Sequence, residues 1–236
     1  MDQMRYALYY TPPQDHPLVA KAEGWLGRSL FDREIAPETV DGLAPDARAP
    51  WIASPRRYGF HATLKAPFRL AGGRDEAGLI AGLDAFAATA RPAPAACLDL
   101  ENLRGFLALT FADPTPELDA LAGEIVRHFD GFRAPMTAEE RARRQPERLD
   151  ETSRRNLDSW GYPHVFDAFR FHMTLTERLD APDATRAEHA LRIHFADLPA
   201  KPVAVDRIAL CREPAPGAPF TCIHEAPLGG ALSQTA

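Results

Sequence analysis

The feature that most constrains this chain is a repeated pentapeptide. Phe60-His61-Ala62-Thr63-Leu64 and Phe171-His172-Met173-Thr174-Leu175 agree at four of five positions and lie 111 residues apart, close to half of a 236-residue chain. Self-similarity at such an offset is a structural statement before it is a functional one. Both copies sit in runs that read as β-strands, RYGFHATLK (57–65) and FRFHMTLTERL (169–179). Side chains alternate along a strand, so His61 and Thr63 share one face, as do His172 and Thr174. Two such strands side by side aim two imidazoles and two hydroxyls into one cleft. Imidazole exchanges a proton near neutrality, and a hydroxyl two residues on can donate to a phosphoryl oxygen. One His–Thr pair from each half makes a symmetric clamp, with one imidazole activating water and the other protonating the departing oxygen.

The rest of the chain alternates strand and helix irregularly. RYALYY (5–10) reads as a strand ended by Pro12 and Pro13, and 17–30 has helical spacing of apolar residues. The Pro- and Asp-rich stretch 36–55 reads as a loop. Helices are expected over about 75–89, 117–129 and 183–196, a hairpin over 97–113, and strands over 202–213 and 220–228. The segment 137–160 carries a capping box, Thr137 with Glu140. It also carries four acid-to-base pairs at i,i+4: Glu139–Arg143, Glu140–Arg144, Asp150–Arg154 and Glu151–Arg155. Pro146 divides it, so two short exposed helices are expected, serving as a solvated connector or as a lid that lends arginines to an anionic substrate. Hairpins with few parallel crossovers imply an α+β fold with largely antiparallel sheets flanked by helices.

Composition narrows the function. The net charge of −6 and pI near 5.8 argue against binding long nucleic acid, but leave room for a small phosphorylated substrate in a locally positive pocket. Of the 27 basic residues, 24 are arginine and 3 lysine, a skew that reads as compositional bias. No apolar run approaches the roughly 20 residues of a membrane helix, and the opening MDQMRYALYY does not resemble a secretory leader. The three cysteines, Cys97, Cys211 and Cys222, form no paired framework, so a cytoplasmic setting is expected. Cys211, Cys222 and His224 invite a metal reading, but no compact ligand spacing supports it. No metal or other cofactor is therefore expected, and no glycine-rich phosphate loop is present.

Two H-x-T motifs on strands half a chain apart resemble the signature of the 2H phosphoesterases, which include RNA 2′,3′-cyclic phosphodiesterases and bacterial RNA ligase-like proteins. RYGFHATLKAPF, YPHVFDAFRFHMTLT and the opening RYALYY are similar to one branch, associated with phosphonate utilisation, over residues of about 5–228. The resemblance implies a single bilobal, pseudo-two-fold α+β domain over 1–236 with the cleft between lobes. By motif match, His61 and His172 take the acid–base roles, and Thr63 and Thr174 contact phosphate. A helical insertion over about 130–165 departs from the smallest members, and 229–236 reads as a loose tail.

Further substrate-binding candidates are Lys65 and Arg170, which continue the two strand faces, then Tyr58, and His164 just before the second motif. Tyr6, Tyr9 and Tyr10 are further candidates to line the pocket, with core or rim packing the preferred reading for each. His128, His189 and His194 fall on helices and read as surface or satisfied residues. The leading expectation is a metal-independent hydrolase of a cyclic or linear phosphodiester, such as a phosphoribosyl cyclic phosphate. The alternatives are an RNA-end phosphodiesterase and a non-catalytic module that binds a phosphosugar or nucleotide. Sequence leaves the oligomeric state and the assignment of acid and base open.

Overall fold

A computed structural model describes residues 4–36, 38–197 and 201–229. The expected tail at 230–236 lies outside these residues. The core is a seven-stranded antiparallel sheet in the order β4-β5-β6-β2-β1-β8-β9. Its strands are β1 (Arg5–Tyr10), β2 (Ala62–Phe68), β4 (Leu98–Leu103), β5 (Phe106–Phe111), β6 (Met173–Thr174), β8 (Arg207–Glu213) and β9 (Thr221–Pro227). A separate two-stranded sheet pairs β3 (Ala93–Ala96) with β7 (Val203–Val205). The α+β class and antiparallel pairing match expectation, and the strands carrying the two H-x-T motifs lie side by side as expected. The refinement is that, in place of two main sheets, both halves of the chain contribute to one continuous sheet.

The halves are arranged alike about the β6–β2 seam. β1 flanks β2 on one side, as β5 flanks β6 on the other. Each motif strand is followed by a helix that packs back onto its own side. α3 (Glu76–Ala87) lies on β8 and β9, and α7 (Ala181–His194) on β4 and β5. Asp75 and Asp180 start these helices by accepting from Gly78 N and Asp183 N. α4 (Pro116–His128) packs on β2 and β3.

Strand alternation sorts the side chains. Tyr6, Leu8 and Tyr10 of β1, Ala62 and Leu64 of β2, and Met173 and Leu175 belong to the main core with residues of α1 (Pro17–Leu26), α3, α4 and α7. Ala7 and Tyr9 face the other way and join Leu30, Ala209, Cys211 and Phe220 in a smaller cluster. One sheet face is thus closed by helices, and the other carries the cleft.

Two expectations change. The stretch read as a loop contains α2 (Pro45–Tyr58), with Pro50 and Pro55 inside it. Burial of Arg48, Trp51, Ile52 and Pro55 follows i, i+3, i+4, i+7 spacing, a pattern that the prolines mask in sequence. Arg48 donates to Gly24 O at 2.8 Å and Trp25 O at 2.9 Å, satisfying carbonyls at the end of α1. Second, the long strand read over 169–179 is regular only at Met173–Thr174. Beyond it, Leu175 N and Thr176 N both bond Leu107 O, and Glu177 N bonds Trp51 O at 2.6 Å.

The route from α2 into β2 is clamped by charge. Glu213, fully buried, pairs with Arg5 at 2.5 Å and with Arg57, and accepts from Gly217 N at 3.0 Å. Burial pushes its carboxyl up, but the two guanidiniums outweigh that and leave it below its ordinary value. This stability is therefore present above the ordinary glutamate pKa of about 4.3 and lost as pH falls below it. Because both arginines are about a third exposed, Glu213→Ala should cost about 2–3 kcal/mol, less than a fully buried pair. Denaturant unfolding at pH 7 and pH 3.5 checks this: the variant's deficit should shrink at the lower pH, and an equal deficit at both would contradict it.

Candidate active site

β2 and β6 meet at one registered pair, Ala62 opposite Met173. Extending that antiparallel register one residue each way sets His61 across from Thr174 and Thr63 across from His172. Opposite residues share a face, so the four side chains form one cluster. Burial agrees: Ala62, Leu64, Met173 and Leu175 are buried, and the four motif side chains are half-buried.

The two histidines are held in the same way. His61 Nδ1 lies 2.9 Å from Gly59 O, and His172 Nδ1 lies 2.8 Å from Arg170 O. A carbonyl only accepts, so each Nδ1 carries a proton and each Nε2 is left to exchange one on the open side of its ring. His61 Nε2 stands 3.2 Å from Thr63 Oγ1, whose hydroxyl donates to it. Gly59 has φ 73°, and a side chain there would meet Leu30 at 3.0 Å. Glycine is needed where α2 turns into β2 and points its carbonyl at His61.

Each ring has an aromatic neighbour from the flanking strand. Tyr9 of β1 stacks on His61 with centroids 3.8 Å apart, and Phe106 of β5 lies 5.8 Å from the His172 ring. Although one edge of His61 stays open, the packing of protein around the ring lowers its pKa to about 4. The Gly59 hydrogen bond opposes the shift and the charge of His172 adds to it. His61 is thus neutral at pH 7.

A cleft of about 350 Å³ lies over this cluster, lined by His61, Thr63, Thr174, Tyr9, Tyr58 and Phe106, among others. His172 stands beside it, against the Phe106 wall. Tyr58 is therefore where the sequence suggested. Lys65 is not: its ammonium donates to Val126 O at 3.1 Å and lies 3.5 Å from Asp130, and burial lowers its pKa to about 8. Arg170 also turns away and donates to Asp167 O and Phe169 O. His164 is exposed and packs edge-on against Tyr162, with His172 and Arg144 among the charges acting on it. Of the weighed metal group, His224 bonds Asp84 at 2.6 Å, and Cys211 pairs across strands with Cys222. Among the described residues, no three His, Cys, Asp or Glu are grouped to hold a metal ion.

Several residues escape a sequence reading. Tyr9, weighed as a pocket residue but read in preference as core or rim, forms a wall of the cleft. Arg144, Tyr162, Glu177 and Arg178 also line it. Thr11 and Thr110 extend the β1 and β5 registers to positions across from His61 and His172. Both hydroxyls are buried without a hydrogen-bond partner among the described residues. They lie outside the repeated pentapeptide, so no motif marks them.

A profile of the family described as "Protein of unknown function (DUF1045)" matches residues 63–221. The chain belongs to that family. The match takes in Thr63 and the whole second motif. Two curated proteins, both named ribose 1,5-bisphosphate phosphokinase PhnN, are similar to it. The one from Janthinobacterium sp. (strain Marseille) is 38 % identical over 231 residues, which is 96 % of this chain and 51 % of that protein. The one from Laribacter hongkongensis (strain HLHK9) is 34 % identical over 225 residues, 92 % of this chain and 50 % of that protein. The chain thus spans about half the length of these relatives. Among solved structures, E. coli LigT complexed with NADP+ aligns over 97 % of this chain and 99 % of its own at 17 % identity and TM-score 0.42. A conserved protein of unknown function from Agrobacterium tumefaciens str. C58 aligns over 93 % and 84 % at 13 % identity and TM-score 0.44. Among the described residues, no helix is long and apolar enough to cross a membrane.

The packing around His61 makes a prediction. In an NMR titration of the free protein, its imidazole should protonate near pH 4. Tyr9→Ala uncovers the ring and should move the midpoint up toward the ordinary value of about 6.5. A wild-type midpoint at 6.5, or no movement in the variant, would contradict the assignment of the shift to burial.

Proposed function

We propose that the protein is a metal-independent phosphoesterase that opens a cyclic phosphodiester by two-histidine acid–base catalysis. The observation that carries this reading is the placing of two His–Thr pairs, one from each half of the chain, across a single strand pair and beside one cleft. His61, neutral at pH 7 with its Nε2 lone pair toward the cleft, takes a proton from water as the water oxygen bonds to phosphorus. His172 supplies a proton from Nε2 to the departing oxygen as the other P–O bond breaks. On substrate binding the Thr63 hydroxyl turns from His61 Nε2, freeing that lone pair, and with the Thr174 hydroxyl donates to the non-bridging oxygens. The product is a phosphomonoester with a free hydroxyl, and the next cycle needs one proton returned from His61 to His172 through solvent.

The substrate we assign is a 5-phosphoribosyl 1,2-cyclic phosphate. Support comes from the resemblance of the motif segments to proteins associated with phosphonate utilisation, in which carbon–phosphorus cleavage leaves such a ring. Support also comes from the relatives' name. Breaking the bond from phosphorus to the 2-oxygen leaves ribose 1,5-bisphosphate, the compound in that name. The 236 residues carry no G-x-x-x-x-G-K-[S/T] run to hold a nucleoside triphosphate, whereas the paired His–Thr cluster suits ring opening by water. We therefore assign to it the step that yields ribose 1,5-bisphosphate rather than the one that phosphorylates it.

Phosphorus NMR of the reaction tests both parts of the proposal. His61→Ala and His172→Ala should each reduce kcat by about 10²–10⁴-fold, and exhaustive chelation should leave the wild-type rate unchanged. Near-wild-type turnover in either variant would overturn the mechanism. Loss of activity on chelation, restored by a divalent ion, would replace it with metal catalysis. Faster turnover of a nucleoside 2′,3′-cyclic phosphate would move the substrate to RNA ends.

A further inference from the structure

The connector between α4 and β6 contains α5 (Ala138–Ala142) and α6 (Glu151–Trp160), and the fates of its arginines differ. Two of the four i,i+4 pairs read from sequence form: Glu139 with Arg143, and Glu151 with Arg155 at 3.2 Å. The other two do not. Asp150 is spent capping α6 through Ser153 N, and Arg154 bonds the carbonyls of Pro146 and Leu149. Glu140 keeps its place in the capping box with Thr137, but Arg69, just past β2, takes its carboxylate at 2.8 and 3.0 Å. That bond holds the Glu140 carboxyl down to about 2, so the pair stays ionised at neutral pH. Arg141 is held in the same two-pronged way by Asp158 of α6.

Arg144 is thereby left without its sequence partner. Its side chain makes no hydrogen bond or ion pair among the described residues. Its guanidinium lies over the Tyr162 ring, 5.1 Å from the centroid, and lines the same cleft as His61, Thr63 and Thr174. Arg178, four residues past Thr174, lines that cleft too and is likewise unpaired. The one carboxylate among the lining residues, Glu177, is engaged by Ser54 N at 2.7 Å. The remaining lining cation, Arg5, is committed to Glu213. Arg148 also has no partner among the described residues, but it is exposed and does not line the cleft.

A half-buried guanidinium with no anion is an incomplete arrangement. The group is planar, always charged, and suited to bidentate recognition of phosphate. The Arg69–Glu140 and Arg141–Asp158 bonds fix the connector on both sides of it, so little ordering remains when an anion arrives.

We propose that Arg144, presented on Tyr162 and assisted by Arg178, is a second anion subsite that holds the terminal phosphomonoester of the substrate, away from the reacting phosphate. This rests on the cyclic-phosphodiesterase reading and names the residue that selects doubly phosphorylated substrates. The connector then delivers specificity, and the two motif strands deliver the chemistry.

The test uses 5-phosphoribosyl 1,2-cyclic phosphate and its analogue without the 5-phosphate, with Arg144→Ala, Arg144→Lys and Arg148→Ala. Arg144→Ala should lower kcat/KM on the 5-phosphorylated compound about 10–100-fold, the range for charged hydrogen bonds. It should change the analogue's value less than about threefold, with Arg144→Lys in between and Arg148→Ala unchanged. Equal losses on both compounds, or no loss on either, would overturn the subsite. Calorimetric binding of ribose 5-phosphate gives a readout that does not depend on turnover. The wild type should bind it and Arg144→Ala should bind at least about tenfold more weakly; no binding by the wild type, or an unchanged affinity, overturns the subsite. Failure of the wild type to turn over either cyclic compound overturns the phosphodiesterase reading alone, and the calorimetry then decides the subsite.

Discussion

Between β6 and β2 the sheet is joined by a single registered pair, Ala62 opposite Met173, and both halves of the site take their geometry from it. Antiparallel register fixes which side chains face each other and on which side of the sheet. Because strand periodicity is two, a slip of one residue would turn one of the two strands over and send its imidazole into the helix-covered core. The seam is short, so the register is secured from outside it. Trp25 of α1 donates to Leu175 O at 2.9 Å, Trp51 of α2 donates to Asp183 of α7 at 2.9 Å, and Glu177 N bonds Trp51 O. The Arg5–Glu213–Arg57 cluster holds the other approach, where α2 hands over to β2 through Gly59. These ties cross between the halves and leave the cleft face of the seam open.

The electrostatics of the cleft differ from those of the molecule. Among the described residues, a chain with net charge −6 places two unpaired arginines and no unengaged carboxylate on the lining of this cleft. Low polarity beneath the site, from Tyr9, Phe220 and Ala209, keeps His61 neutral in the free protein. An anionic ligand reverses part of that shift by favouring the protonated ring. The same surroundings that hold His61 in its neutral form therefore leave its basicity open to change by a bound anion.

Much of this was legible in the sequence, because repetition and periodicity are local signals. The two H-x-T strands, the hairpin turning at Arg104-Gly105 with φ 55° and 105°, helices α3, α4 and α7, and the Thr137–Glu140 capping box follow from nearby residues. What was missed depends on contacts distant in the chain. α2 was hidden because Pro50 and Pro55 outweigh a helical burial pattern that only α1 and α7 complete. Lys65 was expected in the cleft from strand alternation. The β1–β2 register shifts between Leu8 and Tyr9, however, and Lys65 finds Val126 O and Asp130 instead. Helical spacing pairs Arg144 with Glu140, and no local rule foresees that Arg69 takes that carboxylate. Tyr9 reads as a core residue until its partner across the sheet is known to be Thr63.

The central claim is that one phosphate is held by both halves of the chain at once. A crystal structure with inorganic vanadate or phosphate tests it most directly. The account predicts a single bound oxyanion on the β2–β6 seam, with oxygens about 2.7–3.2 Å from Nε2 of both His61 and His172 and from the hydroxyls of Thr63 and Thr174. An oxyanion bound by one His–Thr pair alone, or seated elsewhere with the seam empty, would contradict it.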